Sequence, residues 1–283
     1  MIHACDSPTR TVLAAAGRQR FAGKRLSERA LLAEWRSVDR RRDEVVRSGT
    51  ESVASVYRAA AREVVGRLRD ELVMPRRSLW IAAKQDNDLL SELVFDISKW
   101  NDELQEALDP ELLAAVRQGF ETGALRIDIS GTVDVSQQRV QDVLRRTIND
   151  SVIANENLRE RIARDIGEGM EAQETLDEIT QRITGRFENM QTWRARQIAQ
   201  TAITPTFEQG QSEAFFRAEI ERHAWLSQRD DAVRPDHWDA DGQTVGIDER
   251  FIVGGESALY PGDTLLSLAQ RINCRCTRRP IID

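Results

Sequence analysis

The sequence predicts a mainly α-helical protein that ends in a small, irregular α+β module. Apolar residues recur every three or four positions through most of the chain up to about Glu221, which is the spacing of amphipathic helices. After His223, glycines interrupt short apolar runs, which indicates loops and short strands. Hydrophobic residues make up 40% of the 283 positions and charged residues 31%, so disordered and collagen-like classes are disfavoured.

The first long helical pattern runs from Ser27 to Leu72. Its apolar stripe consists of Val53, Val56, Ala60, Val64, Leu68 and Leu72. Thr50 is of a residue type that caps helix starts, and Pro75 is unable to continue a helix. We therefore expect a helix that begins after Thr50 and ends before Pro75.

A second apolar stripe occupies the next segment. It consists of Leu89, Leu93, Ile97, Trp100, Leu104 and Leu108. The run Asp109-Pro110-Glu111 has the order of an N-cap, a first-turn proline and a first-turn acid, which predicts another helix that ends near Gly123. Residues 124–135 alternate in polarity and contain a Ser-Gly pair, so we expect a short hairpin or an extended linker there.

Three shorter helices and one long helix are predicted next. The apolar positions of the three are Val140, Val143, Leu144 and Ile148, then Leu158, Ile162 and Ile166, then Leu176, Ile179, Ile183 and Phe187. Breaks are expected at Asn149-Asp150 and at Gly167-Glu168-Gly169. The long helix runs from Thr192 to about Glu221, with Trp193 on its buried face, and Pro205 is expected to kink or split it.

These patterns divide the chain into four regions. A basic N-terminal arm and helix (1–49) precedes a helical region that ends in a short extended segment (50–135). A second helical region (136–224) precedes the C-terminal module (225–283). The module has few apolar residues for a core of its own, which favours stabilisation by a bound metal ion.

Charge is unevenly distributed along a chain whose net charge is −7. Residues 9–47 hold 11 Lys and Arg against 5 Asp and Glu, whereas residues 85–113 hold nine acids against Lys99 alone. The run Arg40-Arg41-Arg42 is a candidate contact for DNA phosphates, for an acidic partner surface or for the acidic segment. The alternative is an ordinary solvated helix face, because Asp39, Asp43 and Glu44 are close enough in sequence to pair with these arginines.

Secretion and membrane insertion are not expected. The apolar stretch from Val12 to Gly17 is too short for a signal-peptide core, and nowhere do about 18 apolar residues follow one another. Three cysteines are too few for a disulfide framework, and their number fits a reducing compartment.

Cys274 and Cys276 are separated by one residue, which suits metal binding better than disulfide bonding. Together with His237 they supply three ligands of the types that zinc prefers, and Asp231 or His223 is a candidate for the fourth. A zinc ion at these residues would stabilise a segment that has little apolar core. The alternative is two small buried cysteines and a surface histidine that bind no metal.

The acids around His237 allow two other interpretations. The segment imitates a calcium-binding loop imperfectly, with ligand positions His237, Asp239, Asp241, Gly242 and Asp248. Alternatively, Asp231, His237, Asp239 and Asp241 are candidates for general acid–base groups or for holding a hydrolytic metal. No complete catalytic signature accompanies them, so we assign no catalytic residue.

The C-terminal motifs resemble one known family. They are Asp231-x-x-Arg234-x-x-His237, Gly242, Pro261-Gly262 and Asn273-Cys274-Arg275-Cys276, preceded by a helix with Arg194, Ile198-Ala199 and Thr201. In this order they resemble the phage head morphogenesis family of Mu-F-like minor head proteins over roughly residues 136 to 279. The resemblance marks Arg234, Gly242, Pro261 and Asn273 as structural positions, and we expect Arg234 to pair with Asp230, Asp231 or a backbone carbonyl. The family commonly has Thr-Glu where this chain has Thr201-Ala202.

The resemblance implies a minor capsid protein of a tailed bacteriophage, made in the host cytoplasm and resident in the virion at the portal vertex. Such a protein docks at the portal or the inner shell and assists head assembly, DNA packaging or DNA delivery. Its implied partners are the portal protein, the major capsid or scaffold protein and packaged DNA. The alternative is a metal-dependent hydrolase or a toxin-like effector. Four protein ligands around the metal would favour the structural protein, and an open coordination position beside a perturbed acid would favour the enzyme.

Overall fold

The computed structural model describes residues 26–73 and 94–282, and it confirms the predicted mainly helical fold. Within these residues, six long helices precede a small C-terminal module. They are α1 (Glu28–Val73), α2 (Ile97–Arg126), α3 (Gln138–Ser151), α4 (Ile153–Glu171), α5 (Leu176–Asn189) and α6 (Ala195–Arg217). Some predictions fall outside the described residues. They concern the basic residues of 9–25, Pro75, Leu89, Leu93, the acids of residues 85–93 and the side chain of Leu72.

The helix α1 is continuous through Thr50, so the predicted helix start at this residue is wrong. The Thr50 hydroxyl donates a hydrogen bond to the carbonyl of Val46, 2.6 Å away, one turn earlier in the same helix. A threonine whose hydroxyl is satisfied in this way does not need to cap a helix. The apolar stripe from Val53 to Leu68 is buried as predicted.

The helix α2 is also longer than predicted. It begins after Asp96, whose carboxylate accepts a hydrogen bond from the Lys99 amide at 3.1 Å, and it continues through Pro110 to Arg126. The predicted helix start at Asp109-Pro110-Glu111 is therefore wrong. Gly123 does not end the helix because it packs against α6, where a Cβ atom on it would lie 2.9 Å from Ala214. Residues 129–134 form neither helix nor strand, so the predicted hairpin is absent from this described segment.

The next helices follow their predicted apolar stripes but break elsewhere. The first break is at Val152, close to the predicted one, whereas Gly167 and Gly169 lie inside α4. The second break comes at residues 172–175, where Thr175 and Glu178 form a reciprocal capping box that fixes the start of α5. The capping box of Thr175 and Glu178 stabilises the start of α5. Gly167 and Gly169 are tolerated inside α4, so they do not mark the break.

The long helix is preceded by a π-helical turn at Met190–Arg194, in which Thr192 departs from helical geometry. This departure rotates Trp193 outward, so that 58% of its surface is exposed and its predicted burial is wrong. Pro205 lies inside α6 without splitting it.

The backbones of α2 and α6 come into close contact at two glycines. A Cβ atom on Gly119 would lie 2.0 Å from the Phe207 carbonyl oxygen, and one on Gly210 would lie 2.0 Å from that of Val116. Backbones that meet this closely exclude any side chain at these two positions. The helix α1 packs against both, and helices on both sides of residue 135 share one apolar core. The four-region division stays a prediction.

The C-terminal module follows α6 and is small and irregular, as predicted. An antiparallel sheet has the order β2-β1-β5, with β1 at Arg222–Leu226, β2 at Thr244–Gly246 and β5 at Thr277–Ile281. A hairpin is formed by β3 (Phe251–Val253) and β4 (Glu256–Ala258). The two short helices are α7 (Pro235–Asp239) and α8 (Leu268–Arg271). Among the helices of the described part, none is long and apolar enough to cross a membrane.

Candidate metal centre

Three predicted metal ligands come together in the module. His237 lies on α7, and Cys274 and Cys276 lie just before β5. The Nδ1 atom of His237 is 3.3 Å from Sγ of Cys276 and 3.7 Å from Sγ of Cys274. All three residues are at least 97% buried. Two stretches far apart in sequence therefore form one compact group of metal-binding side chains.

The geometry of this group fits a tetrahedral zinc ion. With Zn–S at about 2.3 Å and Zn–N at about 2.1 Å, tetrahedral coordination separates sulfur from nitrogen by about 3.6 Å. The two measured separations, 3.3 and 3.7 Å, lie on either side of this value. Two thiolates and one imidazole are also the donor set that zinc prefers over magnesium or calcium.

Neither candidate for the fourth ligand joins the group. Asp231 is exposed in the turn before α7, and only His237, Cys274 and Cys276 form such a cluster among the described residues. His223 is fully buried elsewhere, with its Nδ1 atom 3.1 Å from a guanidinium nitrogen of Arg278. Both fourth-ligand predictions are therefore corrected: β1 directs His223 to Arg278, and the turn leaves Asp231 in solvent.

The calcium-loop interpretation does not match the structure. The carboxylate of Asp241 accepts hydrogen bonds from the Ser227 amide at 2.7 Å and from Arg229 at 2.5 Å. Asp239 and Asp248 are exposed, and His237 faces the two thiols instead of these acids. Asp231, Asp239 and Asp241 also lie outside the metal-binding group. Among the described residues, none of them is therefore placed to act together with His237 in catalysis.

A residue that sequence reasoning missed orients the imidazole. Nε2 of His237 and Oε1 of Gln270 are both buried and neither makes a hydrogen bond in this structure, and the Gln270 side chain helps to raise the pKa of His237. The amide nitrogen of Gln270 in turn donates to the carboxylate of Asp236 at 2.5 Å. A ligand histidine commonly donates its second N–H to an outer carbonyl, which leaves the other nitrogen free for the metal. Gln270 therefore favours Nδ1 as the metal-binding atom.

The three side chains shift one another's protonation. Burial lowers the pKa of His237, but the hydrogen bond and charge of Cys274 outweigh burial and leave this pKa raised. The hydrogen bond from Cys276 lowers the pKa of Cys274, and the same contact raises the pKa of Cys276. The group by itself therefore favours one thiolate, at Cys274, and metal binding requires that Cys276 and His237 also lose their protons.

The backbone of residues 272–276, here named the cysteine loop, is held from α6 and α7. Arg234 donates to the Ile272 carbonyl, which confirms the predicted pairing of this arginine with a backbone carbonyl. Asn273 adopts a left-handed conformation, with φ at 56°, and its amide donates to the Thr201 hydroxyl at 3.0 Å. The Thr204 hydroxyl donates to the Cys274 carbonyl, also at 3.0 Å.

The other two resemblance positions shape the chain around this site. Gly242 has φ at 78°, a conformation that favours glycine, and its amide donates to the Trp225 carbonyl at 2.9 Å. Pro261 is buried beside Gly262, where an added Cβ atom would lie 2.9 Å from Thr204 of α6. The conformation of Gly242 fits its predicted structural role, and the role of Pro261 stays a prediction.

The helix α1 holds the rest of the cysteine loop. The indole nitrogen of Trp35 donates to the Arg275 carbonyl at 2.9 Å. The guanidinium of Arg42 donates to the Arg275 carbonyl at 2.7 Å and to the Cys276 carbonyl at 2.8 Å.

The predicted DNA or partner contact at Arg42 is therefore wrong. Its side chain is 1% exposed, and its nitrogens are taken up by carbonyls of the cysteine loop. Arg40 is exposed and Arg41 is half-buried, so their predicted contact stays a prediction.

A buried ion pair joins the module to α6. Nε of Arg278 donates to the Glu208 carboxylate at 3.0 Å, and neither side chain is more than 1% exposed. The same carboxylate accepts hydrogen bonds from Thr277 at 2.7 Å and from Gln211 at 2.9 Å. Sequence reasoning missed this pair, although polar residues on the buried helix α6 are a signal for it.

The metal-binding group does not line the cavity between the helices and the module. This cavity has a volume of about 130 Å³ and is lined by residues of α3, α4, α6 and α8, among them Asp150, Ile198 and Arg271. Its wall does not include His237, Cys274 or Cys276. Because all three residues are buried, a metal ion bound to them would lie inside the module.

Comparison with known proteins supports the family resemblance. The family model described as phage Mu protein F like protein matches residues 156–279, which confirms the Mu-F-like resemblance over this segment. The uncharacterized protein YqbB of Bacillus subtilis (strain 168) is 30% identical over 95 residues, which cover 32% of this chain and 31% of YqbB. The chain thus spans about a third of the length of this relative. No solved structure matches the chain.

Proposed function

We propose, from the match of residues 156–279 to the phage Mu protein F like family, that this chain is a structural component of a phage head. The family match supports a head-related protein. The finer proposal is a minor capsid protein that docks at the portal or the inner shell and assists head assembly, DNA packaging or DNA delivery.

The family match over residues 156–279 carries the head proposal, and the burial of the metal-binding group inside this segment bears on the choice between a structural protein and an enzyme. A catalytic metal needs an open coordination position that substrate reaches, whereas His237, Cys274 and Cys276 are enclosed. Only three of the four protein ligands expected of a structural site come together among the described residues, so it is the burial of these three and the lack of an acid in their cluster that support a structural role over the hydrolase or effector alternative.

We also propose that the group binds zinc and that the ion stabilises the module. His237, Cys274 and Cys276 are the ligands, and Gln270 orients the imidazole. When bound, the ion supplies folding free energy to a segment whose apolar cluster contains few residues.

The particle composition tests the head proposal. Mass spectrometry of purified proheads and virions is expected to detect this chain, and chemical cross-linking is expected to join it to the portal, capsid or scaffold protein. Absence of the chain from both kinds of particle would contradict the structural function and favour the enzyme.

Metal analysis tests the zinc proposal. The purified wild-type chain is expected to hold close to one zinc ion, and Cys274→Ser is expected to lose most of it. Asp231→Asn is the matched control, because this exposed carboxylate lies outside the metal-binding group, and it is expected to keep the zinc. Wild-type protein that binds no zinc with reduced thiols, or an equal loss in Asp231→Asn, would contradict the assigned site.

The remaining arginines of the basic run are proposed to contact packaged DNA. The structure determines the variant to use: Arg40 and Arg41 are replaced by alanine, and the buried Arg42 is kept to preserve the fold. We expect the double variant to bind DNA more weakly than the wild type at low salt, with a smaller salt dependence. Equal DNA binding by the wild type and the double variant would show that Arg40 and Arg41 do not contact DNA.

A further inference from the structure

We propose that α1 belongs to the outer shell of the metal centre, so that zinc binding and attachment of the N-terminal part of α1 are one linked equilibrium. This inference rests on the proposed zinc site. It extends that site to a helix outside the family match, which begins at residue 156. The N-terminal part of α1 means residues 28–42.

The first step of the argument is the direction of the contacts from α1. Trp35 and Arg42 donate hydrogen bonds to the carbonyls of Arg275 and Cys276. Arg275 lies between the two cysteine ligands, and Cys276 is the second of them. These side chains therefore set the orientation of the peptide groups on both sides of Cys276. They act on the geometry of the ligands without touching the metal.

The second step is the burial of Arg42. A guanidinium that is 1% exposed requires hydrogen-bond acceptors, because burial without them is costly. Arg42 has three acceptors in the described structure: the two loop carbonyls and the carboxylate of Asp39 at 2.7 Å. Displacement of the cysteine loop would take two of these three away, so the helix favours the loop position that also places the thiols.

The third step is the dependence of α1 on the module. Beyond Val45 the helix contributes many residues to the main apolar core, including Val53, Tyr57 and Val64. Before that point its contacts include those of Trp35 and Arg42 with the cysteine loop, the ion pair of Glu34 with Arg126, and the packing of Val38. A change in the loop is thus expected to reach residues 28–42 and not the later turns.

Thermodynamic linkage then requires the effect to run in both directions. If α1 stabilises the loop conformation that binds zinc, zinc stabilises the attachment of α1 by the same factor. Replacement of an outer-shell partner typically weakens metal binding by about 10- to 100-fold.

The first test measures zinc affinity of the full chain by competition with a chromogenic chelator. Arg42→Lys keeps the charge but loses the paired hydrogen bonds, and it is expected to weaken zinc binding by about tenfold or more. Trp35→Phe removes one N–H while it keeps an aromatic ring, and it is expected to give a smaller loss. Arg47→Lys is the control, because this side chain is 68% exposed and pairs with Asp43 on the helix surface.

The second test needs no variant. Hydrogen exchange of the wild-type chain is compared with and without zinc, and the amides of residues 29–42 are expected to exchange faster without it. The amides of residues 53–68 are expected to be unaffected.

The inference requires both results, and the absence of either overturns it. If the wild type binds one zinc ion while both variants bind it equally tightly, the coupling is wrong and the zinc site stands. If the wild type binds no zinc, the proposed site and the coupling are both wrong.

Discussion

The helical part of this protein, α1 to α6, and its C-terminal module are stabilised in different ways. The helices share a large apolar core, whereas the apolar cluster of the module contains only Trp225, Ala240, Phe251, Val253, Cys274 and Cys276 among the described residues. The module instead buries polar and charged groups such as Arg278, His223 and His237. Apolar packing stabilises the first region, and specific polar contacts stabilise the second.

The difference is visible within α6, which belongs to both regions. Ile203 and Phe207 contribute to the apolar core of the helices, whereas Glu208, Gln211 and Ser212 are buried against the module. A buried charge is tolerated only where it is paired and hydrogen-bonded, so the module requires its partners on α6 more strictly than the helices require any one apolar contact.

The largest effect is expected for Arg278→Met. This change leaves Glu208 buried without its guanidinium partner, and it is expected to lower the free energy of unfolding by about 3–5 kcal/mol. Chemical denaturation measures the loss. Arg279→Met is the control at the next position, which is half-buried, and it is expected to change stability by less than about 0.5 kcal/mol.

The double variant Glu208→Leu/Arg278→Met sharpens this result. Removal of both charges is expected to restore part of the stability, because apolar residues often replace a buried ion pair at little cost. A double variant less stable than Arg278→Met would show that Glu208 is stabilised by its other hydrogen bonds and not by the pair.

The second prediction concerns the helices. Gly210→Ala places a methyl group against the backbone of α2 and is expected to destabilise the protein by about 1–3 kcal/mol. Gly185→Ala in α5 is the matched control, because the added Cβ has no neighbour within 4 Å apart from the local backbone of its own helix. It is expected to stabilise the protein by about 0.5–1 kcal/mol through higher helix propensity. Thermal denaturation of both variants decides the matter, and the same sign for both would contradict the close packing.

The third prediction concerns pH. Burial and the charge of Arg278 lower the pKa of His223 to about 2, while the unfolded chain keeps the ordinary value near 6.5. Between these values the unfolded state binds a proton that the folded state does not, so stability falls as the pH drops below about 6.5. The contribution is at most about 1.4 kcal/mol per pH unit.

The variant His223→Asn is expected to reduce this slope. Denaturation is measured from pH 7 to pH 4.5 with a chelator present throughout, so that zinc release does not contribute, and His237 is present in both proteins. Equal slopes for the wild type and the variant would show that His223 is not kept neutral by the fold.

Apolar periodicity allowed the helical part to be predicted from the sequence. The stripes from Val53 to Leu68 and from Leu158 to Ile166 are buried, because any such stripe must be covered in a folded chain. Helix boundaries were less predictable. Thr50, Pro110 and Gly167 all lie inside helices, although each is of a residue type that often marks a helix end.

The metal-binding group was predictable in part. His237, Cys274 and Cys276 are of residue types that bind metal, and their pairing across the module is as expected. The contacts of Gln270, Trp35 and Arg42 follow no sequence pattern, because they join groups that only the tertiary fold brings together. Arg42 shows the limit most clearly, since its place in an arginine run suggested an exposed contact.

The central claim is that zinc and polar contacts stabilise the module, whereas apolar packing stabilises the helices. The most direct test is to measure hydrogen exchange across the whole chain with and without a zinc chelator. Removal of zinc is expected to raise the exchange of amides in residues 222–281, and zinc addition is expected to reverse it. The amides of α2 are expected to stay protected throughout. Equal protection of the module with and without zinc would contradict this account, as would loss of protection in α2 together with the module.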